Sequence, residues 1–578
     1  MRTIHLSFSL GLALAAGIPA PVFALGGTPS VFFVDDDAPP GGDGSSWNTA
    51  FRYLQDAIAA AAATGGGEIS VARGVYRPDR SSDAPAGTGD RLASFRLVDG
   101  VALRGGYAGL GHADPDERDP RQFPAVLSGD LAGDDDAASG TSDNAYHVIQ
   151  SWHNDRSAVV EGFTVRAGRA DRPVSQGWWP AGRDDSGAGA LLVHSEAVFR
   201  DCLFEDNYAD ANGSLFIALS GDFGFVEPGG GAVLVSRGAP TIESCEFRNN
   251  AANRVGGALS LHRSAATVTG CLFAGNSVGE LAPQEVSMGG ALGDMSADFS
   301  NDERARIESC RFINNTAHGS GGAIFTALCD SVYANCVLLA NHATDRAGGL
   351  SADNVAFVEF HNTAIVGNTS ARGAAGVFEF SEVGDTYLFI NSIVWGNRTD
   401  EPAEPLNQNM ISQNGNIAAY DTIIEQVGEY PVFMFDADRL FDADPVFTDP
   451  VGPDGVPYSG DEDLRLATGS AAIDAGNSSR VPGWLATDLD GQPRFADAPA
   501  PDTGVGPAPI VDIGPYEAPA GCPADLAPPA GVLNFFDVAA FIALYNDASP
   551  AADLAAPFGV LDFFDIAAFI GLYNAGCP

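Results

Sequence analysis

The sequence predicts an all-β protein wound as a parallel β-helix, with a small α-helical module at its C-terminal end. Three observations predict this. An apolar residue, two spacers and an asparagine recur at Phe204–Asn207, Phe247–Asn250, Phe273–Asn276, Phe312–Asn315, Leu338–Asn341, Ile365–Asn368 and Val394–Asn397. A glycine pair falls between copies, as Gly230-Gly231-Ala232, Gly256-Gly257-Ala258, Gly289-Gly290-Ala291, Gly321-Gly322-Ala323 and Gly348-Gly349-Leu350. Two near-identical segments, residues 525–546 and 553–574, then close the chain. The tightest spacing of the asparagine motif is about 26 residues, a solenoid period. A unit that short cannot bury its own core and must stack on its neighbours. Within one unit Leu259 and Leu261 share a face, which is strand periodicity. No unit holds a helix-length apolar stripe, so three short strands per turn are expected.

Residues 1–24 read as a secretory leader. Arg2 and His5 begin it, an apolar run follows from Leu6 to Ala16, and Val22-Phe23-Ala24 offers a cleavage site, leaving a mature chain from Leu25. The run is short for a membrane anchor, and no later segment is long and apolar enough to span a bilayer. Residues 25–110 are expected to form an N-terminal cap and first coils. Phe51, Leu54, Ile58 and Ala61 follow helical spacing within residues 50–64, with Ser46 and Asn48 as candidate N-caps. A helix there would cover the exposed end of the sheets. Strands are expected at 68–71, 95–97 and 101–106, and further coils at 144–149 and 158–168.

Residues 111–400 carry the repeats. A stacked column of asparagines passes amide hydrogen bonds from coil to coil and satisfies a buried bend. Cys202, Cys245, Cys271, Cys310 and Cys336 each precede their asparagine by five residues, and Thr363 and Ser392 replace them in the last copies. They are expected to form a second inward column as small buried hydrophobes. Disulfides between coils are disfavoured, because parallel Cβ vectors on stacked strands stay too far apart.

Residues 401–517 are expected to close the β-helix, and Asp442–Asp449 and Asp463–Leu466 within them resemble the closing segment of bacterial surface β-helix proteins. Ala518-Pro519-Ala520 reads as a linker. Residues 518–578 then hold two loop–helix units. Val538, Phe541, Ile542 and Tyr545 share one helical face, as do Ile566, Phe569, Ile570 and Tyr573. Cys522 and Cys577 flank the pair, each within Gly-Cys-Pro. A bridge between them, allowed in an exported protein, would stabilise by about 4 kcal/mol in the chain-entropy model.

The Phe-x-x-Asn and Gly-Gly-Ala pattern, across roughly residues 187–400, resembles the repeat of the polymorphic outer membrane protein family, within the right-handed parallel β-helix (pectin-lyase-like) group. That resemblance implies a surface protein, with adhesion as one role. No amphipathic strand series suited to a membrane barrel follows the repeats, so anchoring of the family's own type is not expected. Val31–Asp35 and Gly105-Gly106-Tyr107 resemble the openings of exported β-helix proteins. Ser470-Ala471-Ala472-Ile473-Asp474-Ala475-Gly476, Asp488-Leu489-Asp490-Gly491 and residues 511–517 resemble their closing segments. The duplicated tail resembles a dockerin, which implies a cohesin-like surface partner and calcium bound in each loop. The matching positions are Asp525, Asn534 and Asp537, then Asp553, Asp562 and Asp565. The third and fifth loop positions depart from the pattern, with Ala527 and Pro529, then Ala555 and Pro557. The alternative is a pair of proline-stiffened helical hairpins that hold their shape without metal.

Formal charge is −45, from 75 acidic and 30 basic residues. This argues against nucleic acid and anionic membranes as partners, and against polyuronates unless Ca²⁺ screens the repulsion. Of the polygalacturonase-type signatures only Asp-Asp pairs occur, and no catalytic residue is assigned. His194 and His262, at the ends of Gly-Ala strands, read as surface histidines. The acidic runs Asp130/Asp134/Asp135/Asp136 and Asp449/Asp454/Asp461/Asp463 read as solvated turns, with Ca²⁺ binding as the alternative, and Trp178-Trp179 as a sugar-stacking pair or a flank seal. The expected function is surface-displayed binding or adhesion, to a glycan or another surface ligand. The alternative is a polysaccharide lyase or glycoside hydrolase.

Overall fold

The computed structural model describes residues 30–576 except 136–139, 173–184, 211–228, 280–286, 296–303, 354–356, 380–385, 401–407, 413–416, 428–433, 523, 528–532, 550–551, 553 and 556–559. The expected leader and Trp178-Trp179 lie outside the described residues. Strands of successive coils pair in parallel register along almost the whole chain, which is a parallel β-helix.

Each coil in the repeat region has four strand segments, one more than expected. Coil 259–278 shows them in order: Leu259–His262, Thr267–Thr269, Leu272–Ala274 and Ser277–Val278. The first kind of segment builds a ten-stranded sheet (sheet 1). The second and third form two adjoining ladders that merge through the long strand Ile417–Ile424 (sheet 2). The short fourth segments make an eight-stranded sheet (sheet 3). A single residue in the left-handed region splits the two ladders of sheet 2, such as Asp201, Ser244, Ser309, Asn335 or Asn362. That corner was not foreseen, because one αL residue inside an alternating run does not disturb the apolar period.

The columns explain the repeat. Phe204, Phe247, Phe273 and Phe312 stack face to face at 4.6–5.1 Å inside the third-segment ladder. Asn276 Nδ2 donates to Asn315 Oδ1 (2.9 Å) and to the Phe247 carbonyl one coil back (2.9 Å), while Asn315 Oδ1 also accepts the Asn276 amide N–H (3.0 Å). The same pattern runs from Asn207 to Asn397 and ends on Asn409. All eight asparagines are buried. The cysteines form the expected second column, free and buried, but they do more than fill space. Each donates its thiol to the carbonyl two residues earlier, Cys310 to Glu308 (3.2 Å) and Cys336 to Ala334 (3.3 Å). Thr363 and Ser392 make the same contact with His361 (3.1 Å) and Ile390 (2.9 Å). A short side chain with one donor is what the corner needs, so Cys, Thr and Ser interchange there. Burial pushes the Cys336 thiol up to about 12, which keeps it protonated and inert.

The glycine pair divides two tasks. Gly256, Gly289 and Gly321 hold φ of +62 to +72°. A Cβ on Gly257 or Gly290 would strike the carbonyl of the next coil. In the last copy the register slips. Leu350 pairs with Ile324, so Gly348 aligns with Gly322, and Ala347 takes the left-handed position at φ 54°. The pair Gly348-Gly349 is therefore one residue out of step with the earlier pairs.

The N-terminal cap is shorter than its apolar spacing implied. Helix α1 (Leu54–Ala63) is preceded by extended Tyr53, without a side-chain cap. Ser46 and Asn48 belong instead to a 3₁₀ turn, Trp47–Thr49. Leu54, Ala57, Ile58 and Ala61 face the first strands, Val31–Val34 and Gly67–Ala72, which pair with each other. The segment expected at 144–149 begins as strand only at Ile149, and 158–168 is two strands divided at Gly162.

At the far end Phe447–Asp449 and Asp463–Leu466 make an antiparallel hairpin. The chain then folds back over the outer face of sheet 2. Ile513, Ala472, Leu464 and Phe447 pack on Val337, Val366 and Ile393 there. Corner asparagines latch it down. Asn362 Nδ2 donates to the carbonyls of Asp512 and Gly514 (both 3.2 Å), and the Asn477 amide donates to Asn391 Oδ1 (2.7 Å). Arg494 is fully buried between Glu517 (2.7 Å), the Pro515 carbonyl (2.8 Å) and Asn335.

Candidate binding surfaces

The tail is built around α2 (Phe535–Asn546) and α3 (Phe563–Ala575). Phe541 and Phe569 stack at 4.0 Å between them, with Ala524 and Ala552 beneath. Leu544 and Leu572 join this core. Ile542 and Ile570, placed by spacing on the same face, stand instead about half exposed, at 53% and 52%. They border a groove of about 410 Å³ floored by Phe541 and Phe569 and flanked by Val538, Tyr545, Ile566 and Tyr573. At the two helix starts, Phe535, Phe536, Phe563 and Phe564 are 62–74% exposed. Each helix thus leaves apolar side chains exposed at the same positions, and the duplication repeats them.

Four of the expected calcium ligands, Asn534, Asp537, Asp562 and Asp565, accept backbone amides. Asn534 and Asp562 are the N-caps of α2 and α3, accepting from the amides of Phe536 (2.8 Å) and Phe564 (2.7 Å). Asp537 and Asp565 complete capping boxes. Asp537 Oδ1 accepts the amides of Leu526 and Ala527 (both 2.8 Å), and its Oδ2 that of Asn534 (2.7 Å). Asp565 repeats this with Leu554, Ala555 and Asp562. These backbone donors hold the Asp565 carboxyl below its usual range against the opposing effect of burial. Three N–H donors leave each of these carboxylates about one free lone pair, too few for the bidentate contact a calcium loop needs at this position. Asp553 and Cys577 lie outside the described residues. Cys522 is half-buried against the tail core and is not among the free thiols, Cys202, Cys245, Cys271, Cys310, Cys329 and Cys336.

On the body, the outward face of sheet 1 is covered. Leu191, Leu234, Phe325 and Phe378 point away from the core yet are at most 4% exposed. His262 is buried, contrary to its expected surface position, and His194 sits in a left-handed corner stacked on His153 at 5.0 Å. A recessed polar surface lies instead against sheet 2. A cleft of about 500 Å³ opens between residues 118–124 and the outer face near Thr164, Asp201, Leu203 and Glu246. Glu246 is held by Arg248 (2.8 Å) and Arg121 (3.3 Å), and Asp119 caps its own turn through the Arg121 amide (2.9 Å). The acidic run at 449–463 consists of turn caps, as with the Asp454 amide on Asp461 and the Val451 amide on Asp449 (both 3.3 Å).

Inside the helix lies Asp294, which the repeat pattern did not single out. It is fully buried, facing Ser331 (2.5 Å) and Tyr333 (3.2 Å), and burial pushes its carboxyl up to about 6. Its signal was one Asp in the place where neighbouring coils carry Leu261 and Thr326.

The repeat family described as the Chlamydia polymorphic membrane protein repeat matches residues 309–327, one unit containing Asn315 and Gly321-Gly322-Ala323. A search of curated proteins finds no match. Among solved structures, the chain is similar to pectate lyase Pel9A, at 11% identity and a TM-score of 0.39, covering 85% of this chain and 97% of that one. It is also similar to the A-module of the Azotobacter vinelandii mannuronan C-5 epimerase AlgE4, at 15% identity and a TM-score of 0.26, covering 71% and 97%. These likenesses concern the fold alone. Among the described residues no helix is long and apolar enough to cross a membrane.

Proposed function

We propose that this is an exported β-helix binding protein held at the cell surface by its tail, which docks a cohesin-like partner through the apolar face of α2 and α3. The carrying observation is that face. Four phenylalanines and two isoleucines remain more than half exposed on a module of two short helices, and surplus apolar surface of this kind marks an interaction site. In this reading capping by Asp537 and Asp565 replaces the expected calcium as the element that closes each loop, and a Cys522–Cys577 bridge ties the ends. The body displays its ligand-binding surface, and the cleft beside Glu246 is the recessed place for a glycan. Its acidic side chain is ion-paired, which suits recognition better than proton transfer.

The test is fractionation of cells producing full-length protein with Phe535, Phe536, Phe563 and Phe564 replaced by Ser. The quadruple variant should appear in the medium, folded, while wild type stays with the cells. Equal retention of both would reject the docking face. A glycan array paired with a reducing-end release assay tests the body, and release of reducing ends would replace binding by cleavage.

A further inference from the structure

We propose that Asp474, Asp497 and Asp502 form a calcium site that fastens the closing segment next to its junction with the tail. Asp474 is fully buried, and no donor meets either of its carboxylate oxygens in full hydrogen-bond geometry, the Ala498 amide acting on it only weakly. A buried carboxylate without a well-formed hydrogen bond is costly unless a cation sits beside it. Asp497 and Asp502 are exposed, and each places an oxygen within 4.8 Å of the other and of Asp474. Calcium bonds of about 2.3–2.6 Å span such a triangle, and open sides leave room for water to complete six to eight oxygens.

The backbone brings the three together. Asp474 is held in the left-handed region at φ 49°. Its carbonyl accepts the amides of Thr503 and Gly504 (both 2.9 Å), which folds the stretch bearing Asp502 over it. Its own amide donates to Asp512 Oδ1 (2.7 Å), so a fourth carboxylate lies beneath. The neighbouring cation is committed elsewhere: Arg439 donates to Asp421 (2.6 Å) and to the carbonyls of Ala475 and Thr503.

Two other acidic groups show the contrast. In Asp35-Asp36-Asp37 the oxygens accept the amides of Asp37, Leu110 and Val75. In Asp130/Asp134/Asp135, Asp130 accepts those of Gly133 and Asp134. Those carboxylates organise turns through well-formed hydrogen bonds, whereas no amide meets an Asp474 oxygen in that geometry. The site also has a structural reason. The Gly521 amide donates to the Asp497 carbonyl (3.0 Å), and Ala498 packs with Ile473 and Ala518. An ion here would join the closing segment to the chain leading into the tail.

The experiment is calorimetric titration of chelator-treated full-length protein with CaCl₂, with thermal unfolding in parallel. Wild type should bind calcium and melt at a higher temperature with it. The double variant Asp497→Asn/Asp502→Asn alters only exposed side chains and should fold. It should bind about tenfold more weakly or worse and lose the thermal shift. Magnesium should bind at least about tenfold more weakly than calcium, because it demands a tighter octahedron. No binding at millimolar calcium would overturn the proposal. So would unchanged affinity in the double variant, which would place the ion elsewhere, and so would equal affinity for magnesium.

Discussion

In the body, Asn315 donates to Asn341 and accepts from Asn276, so each copy supplies the partner its neighbour lacks. In the tail, Asp537 and Asp565 each close their own copy, and among the described residues the two copies meet through the Phe541–Phe569 contact and the apolar side chains around it. The body's copies are therefore interlocked, while the tail's are complete locally and leave apolar surface over. Repetition in the first case makes stability collective. In the second it duplicates a surface. Substitutions should then separate the two regions: those in the body act on stability, those on the tail's face act on attachment.

The largest stability effect is expected where the body meets its closing segment. Arg494→Met leaves Glu517 buried without its cation and should cost about 3–5 kcal/mol in denaturant unfolding. A loss below 1 kcal/mol would show that the latch is peripheral. Next comes Asn315→Ala, which strips partners from the Asn276 amide and the Phe273 carbonyl and should cost about 1–3 kcal/mol. Asp294→Asn should act in the opposite direction. The folded carboxyl titrates near 6 against an ordinary 3.8, so the folded state binds the proton more tightly. This contribution is present below pH 4 and lost as pH rises through 6. Wild type should therefore lose about 2 kcal/mol relative to the Asn variant between pH 4 and pH 7. Parallel pH profiles of the two proteins would contradict it. Cys310→Ser keeps the donor to Glu308 and should change stability by less than about 1 kcal/mol. Smallest of all, Phe563→Ser on the exposed tail face should stay within about 0.5 kcal/mol while weakening attachment.

The period of the asparagines was enough to predict the stacked coils and the buried amide column, because each copy's partner is the same residue one coil away. Contacts between unlike segments were not legible. Asn335, Asn362 and Asn391 reach partners 86 to 159 residues on, and nothing in their local spacing says so. The register slip at Gly348 was hidden because Ala347 can take a left-handed corner that earlier coils give to glycine. In the tail, helical spacing found the apolar face but not its division. Leu544 and Leu572 turned inward, and Ile542 and Ile570 turned out, because the helices meet through Phe541 and Phe569. Asp474 stood within a stretch singled out for its resemblance to other closing segments. Its companions at 497 and 502 became visible only when the chain was folded back.

The most direct test of the division between a self-completed body and an attaching tail is removal of the chain after Ala520. Fractionation with circular dichroism of the released protein reads both halves at once. The truncated protein should leave the cells and keep the β-sheet spectrum and unfolding transition of the body. Retention at the surface, or loss of the folded β-helix, would contradict the account.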